Sequence, residues 1–185
     1  EAAVSTLDSR HWEKGPKGRE FGEKFAKHCG ALSAAPCQNG SSSLWAALRL
    51  VGIGEGDEVI VPSFTFIASA TAIPLVGATP IFVDIENDYW CLDVDAVERA
   101  ITPRTKAVIG VHIFGQPYDP RLIELCKSKN IALIEDAAQA HGAEYFGKRV
   151  GGIGHMGAFS FYPGKNLGGY GEGGIVTTNN ANYAK

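Results

Sequence analysis

No apolar run in this chain of 185 residues approaches the roughly 18 that a membrane-spanning helix needs, so no single-helix span is expected within it. An excess of basic residues is also missing. Lys and Arg total 17 against 20 Asp and Glu, a formal charge of −3, and no basic cluster forms, which argues against a nucleic-acid surface. The four cysteines, Cys29, Cys37, Cys91 and Cys126, make no CxxC pair and read as free thiols of a reducing compartment. The five histidines form no HExxH or similar spacing, so no metal site is expected. Residues 1–19 are polar and lack the apolar stretch of a secretory signal, and a cytoplasmic protein follows as the expectation. The chain starts at Glu1 and stops at Lys185 just after strand-like "GIVTT", and it reads as cut at both ends.

What is present is an alternation of helical and strand signals. "REFGEKFAKHCG" puts Phe21 and Phe25 at i and i+4, with Gly30 placed to end a helix. "NGSSSLWAALRLVG" reads as a turn, a serine N-cap and an apolar helix through Leu50. The strands "DEVIVP" and "PIFVD" flank a helical "FIASATAIPLVG". Helix "DVDAVERAI", strand "KAVIGVHIFG", helix "DPRLIELCKSKN", strand "IALIEDA" and a short strand from Ala158 to Tyr162 follow. The strands are continuous apolar runs, as in sheets covered on both faces, so the fold class is α/β with a mainly parallel sheet flanked by helices. In that architecture ligands bind beyond the carboxyl ends of the strands. Those positions are Ser63 to Phe66, His112 to Gln116, Asp136 to Gln139, and Ser160 to Lys165.

Several familiar motifs fail on context. G-x-G-x-x-G occurs at Gly152, Gly154, Gly157 and at Gly169, Gly171, Gly174, but strand-like segments follow where a dinucleotide site needs a helix. Gly164-Lys165 is no P-loop, because Phe159 and Asn166 stand where glycine and Ser or Thr are required. No G-x-S-x-G elbow is present. Asn39-Gly40-Ser41 matches the glycosylation pattern and is better read as a helix-capping turn.

Four features remain. Lys165 in "FSFYPGKNLGG" is either a solvated turn lysine or an amine placed to form a Schiff base with an aldehyde. Asp136 ends a buried strand, where a carboxylate needs a partner. It either caps its loop or holds the pyridine nitrogen of pyridoxal phosphate protonated. Strand alternation sends Glu135 to the opposite face. Gly40, Ser41 and Ser42 at a helix start offer N–H groups, hydroxyls and a positive dipole end, more than a cap requires, and Ser160 could add a hydroxyl. Phe66 is either a core residue or a ring that lies over a planar cofactor.

These residues, in the segments "GPKGREFGEKFAKHCG", "NGSSSLWAALRLVGIGEGDEVIVPSFTF", "GATPIFVDI", "TPRTKAVIGVHIFGQPYD", "IEDAAQAHGA" and "FSFYPGKNLG…GEGG", resemble the DegT/DnrJ/EryC1/StrS sugar aminotransferases, fold-type I enzymes of the aspartate aminotransferase type. The resemblance implies a pyridoxal 5′-phosphate site with Lys165 as the Schiff-base lysine and Asp136 as the ring-nitrogen partner. Gln139 would sit near the ring hydroxyl, Phe66 would stack, and Ser41, Ser42 and Ser160 would hold the phosphate. Ser41 replaces the family's usual threonine and keeps the hydroxyl. The implied reaction moves an amino group from glutamate or glutamine to a nucleotide-linked ketosugar, with Lys165 shuttling the proton. "FYPGKNLG" leans toward 3-keto acceptors, and Gln139 away from aminohydroxybenzoate makers, which carry histidine there. A keto-inositol acceptor or a non-catalytic cofactor-binding module are the alternatives. The resemblance also implies a homodimer, and residues 1–30 as a segment packing on a large domain, residues 31–185, that lacks its smaller C-terminal domain.

Overall fold

The computed structural model describes residues 1–11 and 15–184. Helices α1 (Ala2–Ser9) and α2 (Pro16–Cys29) come first. Pro at the start of α2 needs no intrahelical acceptor, and Gly30 ends the helix in the left-handed region at φ 66°, as its sequence predicts. Next come β1 (Ser33–Cys37), α3 (Gly40–Leu50), β2 (Glu58–Pro62), α4 (Ile67–Thr71) and β3 (Thr79–Val83). The chain continues through α5 (Val94–Ala100), β4 (Thr105–Val111), α6 (Arg121–Lys129) and β5 (Ala132–Asp136). A hairpin of β6 (Glu144–Tyr145) and β7 (Lys148–Arg149) precedes β8 (Met156–Ser160) and β9 (Gly174–Thr178).

Seven strands form one sheet in the order β1-β9-β8-β5-β4-β2-β3. Pairings β2–β3, β2–β4, β4–β5 and β5–β8 are parallel, and β9 runs against both of its neighbours. On one face, Val59, Val61, Ile109, Ile134 and Ala158 pack under Leu44 and Leu48 of α3 and the small residues of α4. On the other, Ile60, Val108 and Leu133 meet Val97 of α5 and Leu122 of α6, and Phe159 and Ile175 meet Phe25 of α2. Both faces of the central strands β2, β4, β5 and β8 are covered, which is why their sequences show no alternation.

Several boundaries differ from those the sequence suggests. "FIASATAIPLVG" is helical only through Thr71, and a 3-10 turn starts at Pro74 because proline breaks the ladder. β4 stops at Val111, since "HIFG" turns with Phe114 at φ 52°. β8 covers Met156–Ser160, two residues earlier than Ala158 to Tyr162. Strand β1 and the β6–β7 hairpin were not anticipated: β1 carries Pro36, tolerated because the strand is at the sheet edge, and each hairpin strand has only two residues.

Candidate active site

The side-chain period of two decides which carboxylate of Glu135-Asp136 faces where. Asp136 shares the face of Ile134, under α3 and α4, and is 6% exposed. Its Oδ2 accepts a hydrogen bond of 2.7 Å from the hydroxyl of the fully buried Ser69 on α4, and its Oδ1 accepts one of 3.2 Å from the Ala138 amide. Both oxygens are thereby fixed at the carboxyl end of β5.

Glu135 lies on the opposite face, wholly buried, and accepts from the amides of Gly151 (2.8 Å), Ile153 (2.8 Å) and Gly154 (2.7 Å). The first G-x-G-x-x-G stretch thus belongs to a loop that wraps the chain's own carboxylate. His112 completes this cluster: its Nε2 is 3.0 Å from Glu135 Oε2, its Nδ1 accepts from the Tyr118 amide at 3.4 Å, and its ring stacks on Tyr118. His112, although just past β4, therefore points away from Asp136.

At the β8 end, Gly40 sits against Ser160. A Cβ on Gly40 would lie 2.8 Å from the Ser160 Cβ, so only glycine lets the α3 start approach this closely. Asn39, not a serine, is the N-cap: its Oδ1 accepts from the amide and the hydroxyl of Ser42, each at 2.9 Å, and its carbonyl accepts from the Ser43 hydroxyl. Two of the three serines therefore serve the cap. That leaves the exposed Ser41 hydroxyl, with the Gly40 and Ser41 amides lacking intrahelical acceptors. Ser160 is itself buried, on the Asp136 face of the sheet, and its hydroxyl accepts from the Tyr162 amide at 3.3 Å.

Lys165 stands in a loop closed by the Gly169 amide on the Phe161 carbonyl (2.8 Å), with its own amide on the Tyr162 carbonyl (2.9 Å). Gly168 packs so tightly that a Cβ would meet the Pro163 carbonyl oxygen at 2.4 Å. The Lys165 side chain is half-buried, and among the described residues no carboxylate pairs with it. It is felt by His141, whose proton affinity is lowered by burial first and by the Lys165 cation among lesser causes. That imidazole is packed against Phe159 and Phe161, and among the described residues neither of its buried nitrogens has a well-formed hydrogen bond.

Phe66 is 71% exposed and caps α4, which rules out a core role. Gln139 is exposed in the turn after β5, with its carbonyl close to Gly115. Sequence reasoning missed Ser69, held Thr65 only as a member of the strand-end stretch 63–66, and read Asn39 as part of a capping turn while giving the N-cap itself to a serine. Thr65 and Ser69 stand at i and i+4, a spacing that could have revealed them. A surface cavity of about 530 Å³ lies at the amino ends of β5 and β8, lined by Leu133, Gly154 and His155, remote from these groups.

A UDP-N-acetyl-3-dehydro-alpha-D-glucosamine 3-aminotransferase of Acidithiobacillus ferrooxidans is 46% identical over 176 residues, covering 95% of this chain and 48% of that protein. A dTDP-3-amino-3,4,6-trideoxy-alpha-D-glucose transaminase of Streptomyces venezuelae is 47% identical over 185 residues, all of this chain and 49% of its own. The PLP form of the putative sugar aminotransferase Spr1654 from Streptococcus pneumoniae superposes with a TM-score of 0.92 at 34% identity, covering 97% of this chain and 50% of that one. The chain spans about half the length of the curated relatives it matches. The model of the DegT/DnrJ/EryC1/StrS aminotransferase family matches residues 1–185, and the chain belongs to that family.

Proposed function

We propose that this chain carries most of the cofactor site of a pyridoxal-phosphate-dependent aminotransferase that moves an amino group from glutamate or glutamine to a nucleotide-linked ketosugar. The observation that carries this reading is the buried Asp136 carboxylate, held by Ser69 and Ala138 on the face shared with Gly40 and Ser160. The residues fit the group. Gly40 lets the amino end of α3 close on Ser160 where a Cβ would clash, Phe66 is exposed and free to stack, and among the described residues no carboxylate pairs with Lys165.

When bound, pyridoxal phosphate supplies a protonated pyridine ring that withdraws electrons from the substrate carbon. The chain does the rest. The Gly40 and Ser41 amides and the Ser41 and Ser160 hydroxyls would hold the phosphate, with Ser42 keeping the cap in place through Asn39. Asp136 would accept the ring N–H, Phe66 would stack on the ring, and Gln139 would serve the ring hydroxyl. The Lys165 amine would hold the aldehyde carbon of the cofactor and would carry the proton to and from the substrate carbon.

The names of the A. ferrooxidans and S. venezuelae relatives favour 3-keto nucleotide sugars over an inositol acceptor. We place residues 1–30 as a segment on a large domain made by the rest of the chain, and the protein as a cytoplasmic homodimer. No helix of the described residues is long and apolar enough to cross a membrane. Single-turnover assays test the reading: the amine-loaded protein should transfer nitrogen fastest to a 3-keto nucleotide sugar, more slowly to a 4-keto one, and not to an inosose. Equal rates with all three, or none with any, would contradict it.

A further inference from the structure

Ser69 and Thr65 have no direct role toward the cofactor in the reading above, yet they are joined to its central carboxylate. The Ser69 hydroxyl donates to Asp136 Oδ2 at 2.7 Å, and the hydroxyls of Thr65 and Ser69 lie 2.8 Å apart. Counting protons gives this chain a direction. A carboxylate accepts only, and a serine hydroxyl has one hydrogen. With the Ser69 hydrogen on Asp136, Thr65 must be the donor to Ser69. The order is Thr65 to Ser69 to Asp136, all donors aimed at the acid.

Their placement adds a second argument. Ser69 is 0% exposed, so its hydroxyl cannot exchange this partner for water without cost. Its amide donates to the Phe66 carbonyl at 3.1 Å, which ties the hydroxyl to the residue proposed to stack. One helical turn therefore joins the backbone of Phe66 to the residue that holds the carboxylate. With Oδ2 on Ser69 and Oδ1 on the Ala138 amide, the carboxylate plane cannot rotate freely.

We propose that Ser69, oriented by Thr65, is a positioning residue for Asp136: it locks the carboxylate so that its remaining lone pair meets the ring nitrogen of the cofactor. This inference rests on the proposed pyridoxal phosphate site.

The test uses Ser69→Ala, Ser69→Thr, Thr65→Val and Thr65→Ser, each loaded with pyridoxal phosphate labelled with ¹⁵N in the ring. Two quantities are read: the ring-nitrogen chemical shift and the single-turnover rate with the amino donor. Ser69→Ala should move the shift toward that of an unprotonated pyridine. It should also slow the turnover about ten- to a hundredfold, the range for losing a hydrogen bond to a charged group, with half-saturation by the donor unchanged. Ser69→Thr keeps the hydroxyl and should restore both readouts. Thr65→Val leaves the bond to Asp136 in place, so its effect should be smaller than that of Ser69→Ala, and Thr65→Ser should match the wild type. A Ser69→Ala protein with unchanged shift and rate overturns the inference, as does a larger effect from Thr65→Val. If wild-type protein neither binds the cofactor on Lys165 nor shows a protonated ring nitrogen, the functional reading itself fails, a result distinct from either.

Discussion

Replacing Glu135 by glutamine should destabilise the fold severely while leaving the candidate site's chemistry intact. Glu135 is fully buried and accepts four hydrogen bonds, three from the Gly151, Ile153 and Gly154 amides and one from His112. Glutamine keeps one oxygen, which can still serve Ile153 and Gly154. Its amide nitrogen must then face the Gly151 N–H, a donor against a donor. His112 could switch tautomer to accept from that nitrogen, but its Nδ1–H would then oppose the Tyr118 amide. Either way at least one buried N–H is orphaned, at about 1–3 kcal/mol, and the surviving bonds lose their charge assistance. A total of about 4 kcal/mol follows, within the range for breaking a buried ionic cluster. For a chain of this size that lowers the melting temperature by about 8–16 °C. Urea unfolding followed by circular dichroism gives the free energy, and calorimetry the melting temperature. A loss below about 1 kcal/mol, less than a single orphaned donor costs, would refute the accounting. Because Glu135 faces away from Asp136, cofactor affinity of the folded variant should stay near the wild type.

Other outcomes follow from the same geometry. Gly40→Ala forces a Cβ to 2.8 Å from Ser160 and should weaken pyridoxal phosphate binding by about tenfold or more, measured by fluorescence titration, through a shift of the α3 start. Burial lowers the proton affinity of His28 and His141 below the ordinary 6.5. The unfolded chain then binds protons the native state refuses, so stability should fall as pH drops below about 6.5, and His141→Gln should flatten part of that slope in pH-dependent urea unfolding. Burial pushes the thiols of Cys29 and Cys126 up to about 12 and that of Cys91 to about 11. These three should resist a thiol reagent at pH 8 in the native protein and react once it is unfolded.

Much of this could be read from sequence because the signals are local. Apolar runs bounded by Pro, Gly and Asp marked the buried strands, and strand parity alone separated Asp136 from Glu135 onto opposite faces. What escaped depends on tertiary contacts. Strand β1 has no β-branched residue and exists because β9 pairs with it. The extra serines after Asn39 looked like a phosphate surplus, yet Ser42 and Ser43 are taken by Asn39, a competition that sequence does not rank. Ser69 carried no motif, since its partner Asp136 is 67 residues away. Phe66 was ambiguous between core and surface until the short α4 placed it outside.

The central claim is that Lys165, Asp136 and the start of α3 serve one planar aldehyde. Its most direct test is to mix the protein with pyridoxal phosphate, reduce with borohydride and map the modified peptide by mass spectrometry. The account predicts a single adduct on Lys165, absent in Lys165→Ala and weakened in Gly40→Ala. An adduct spread over surface lysines, or one that persists in Lys165→Ala, would contradict it.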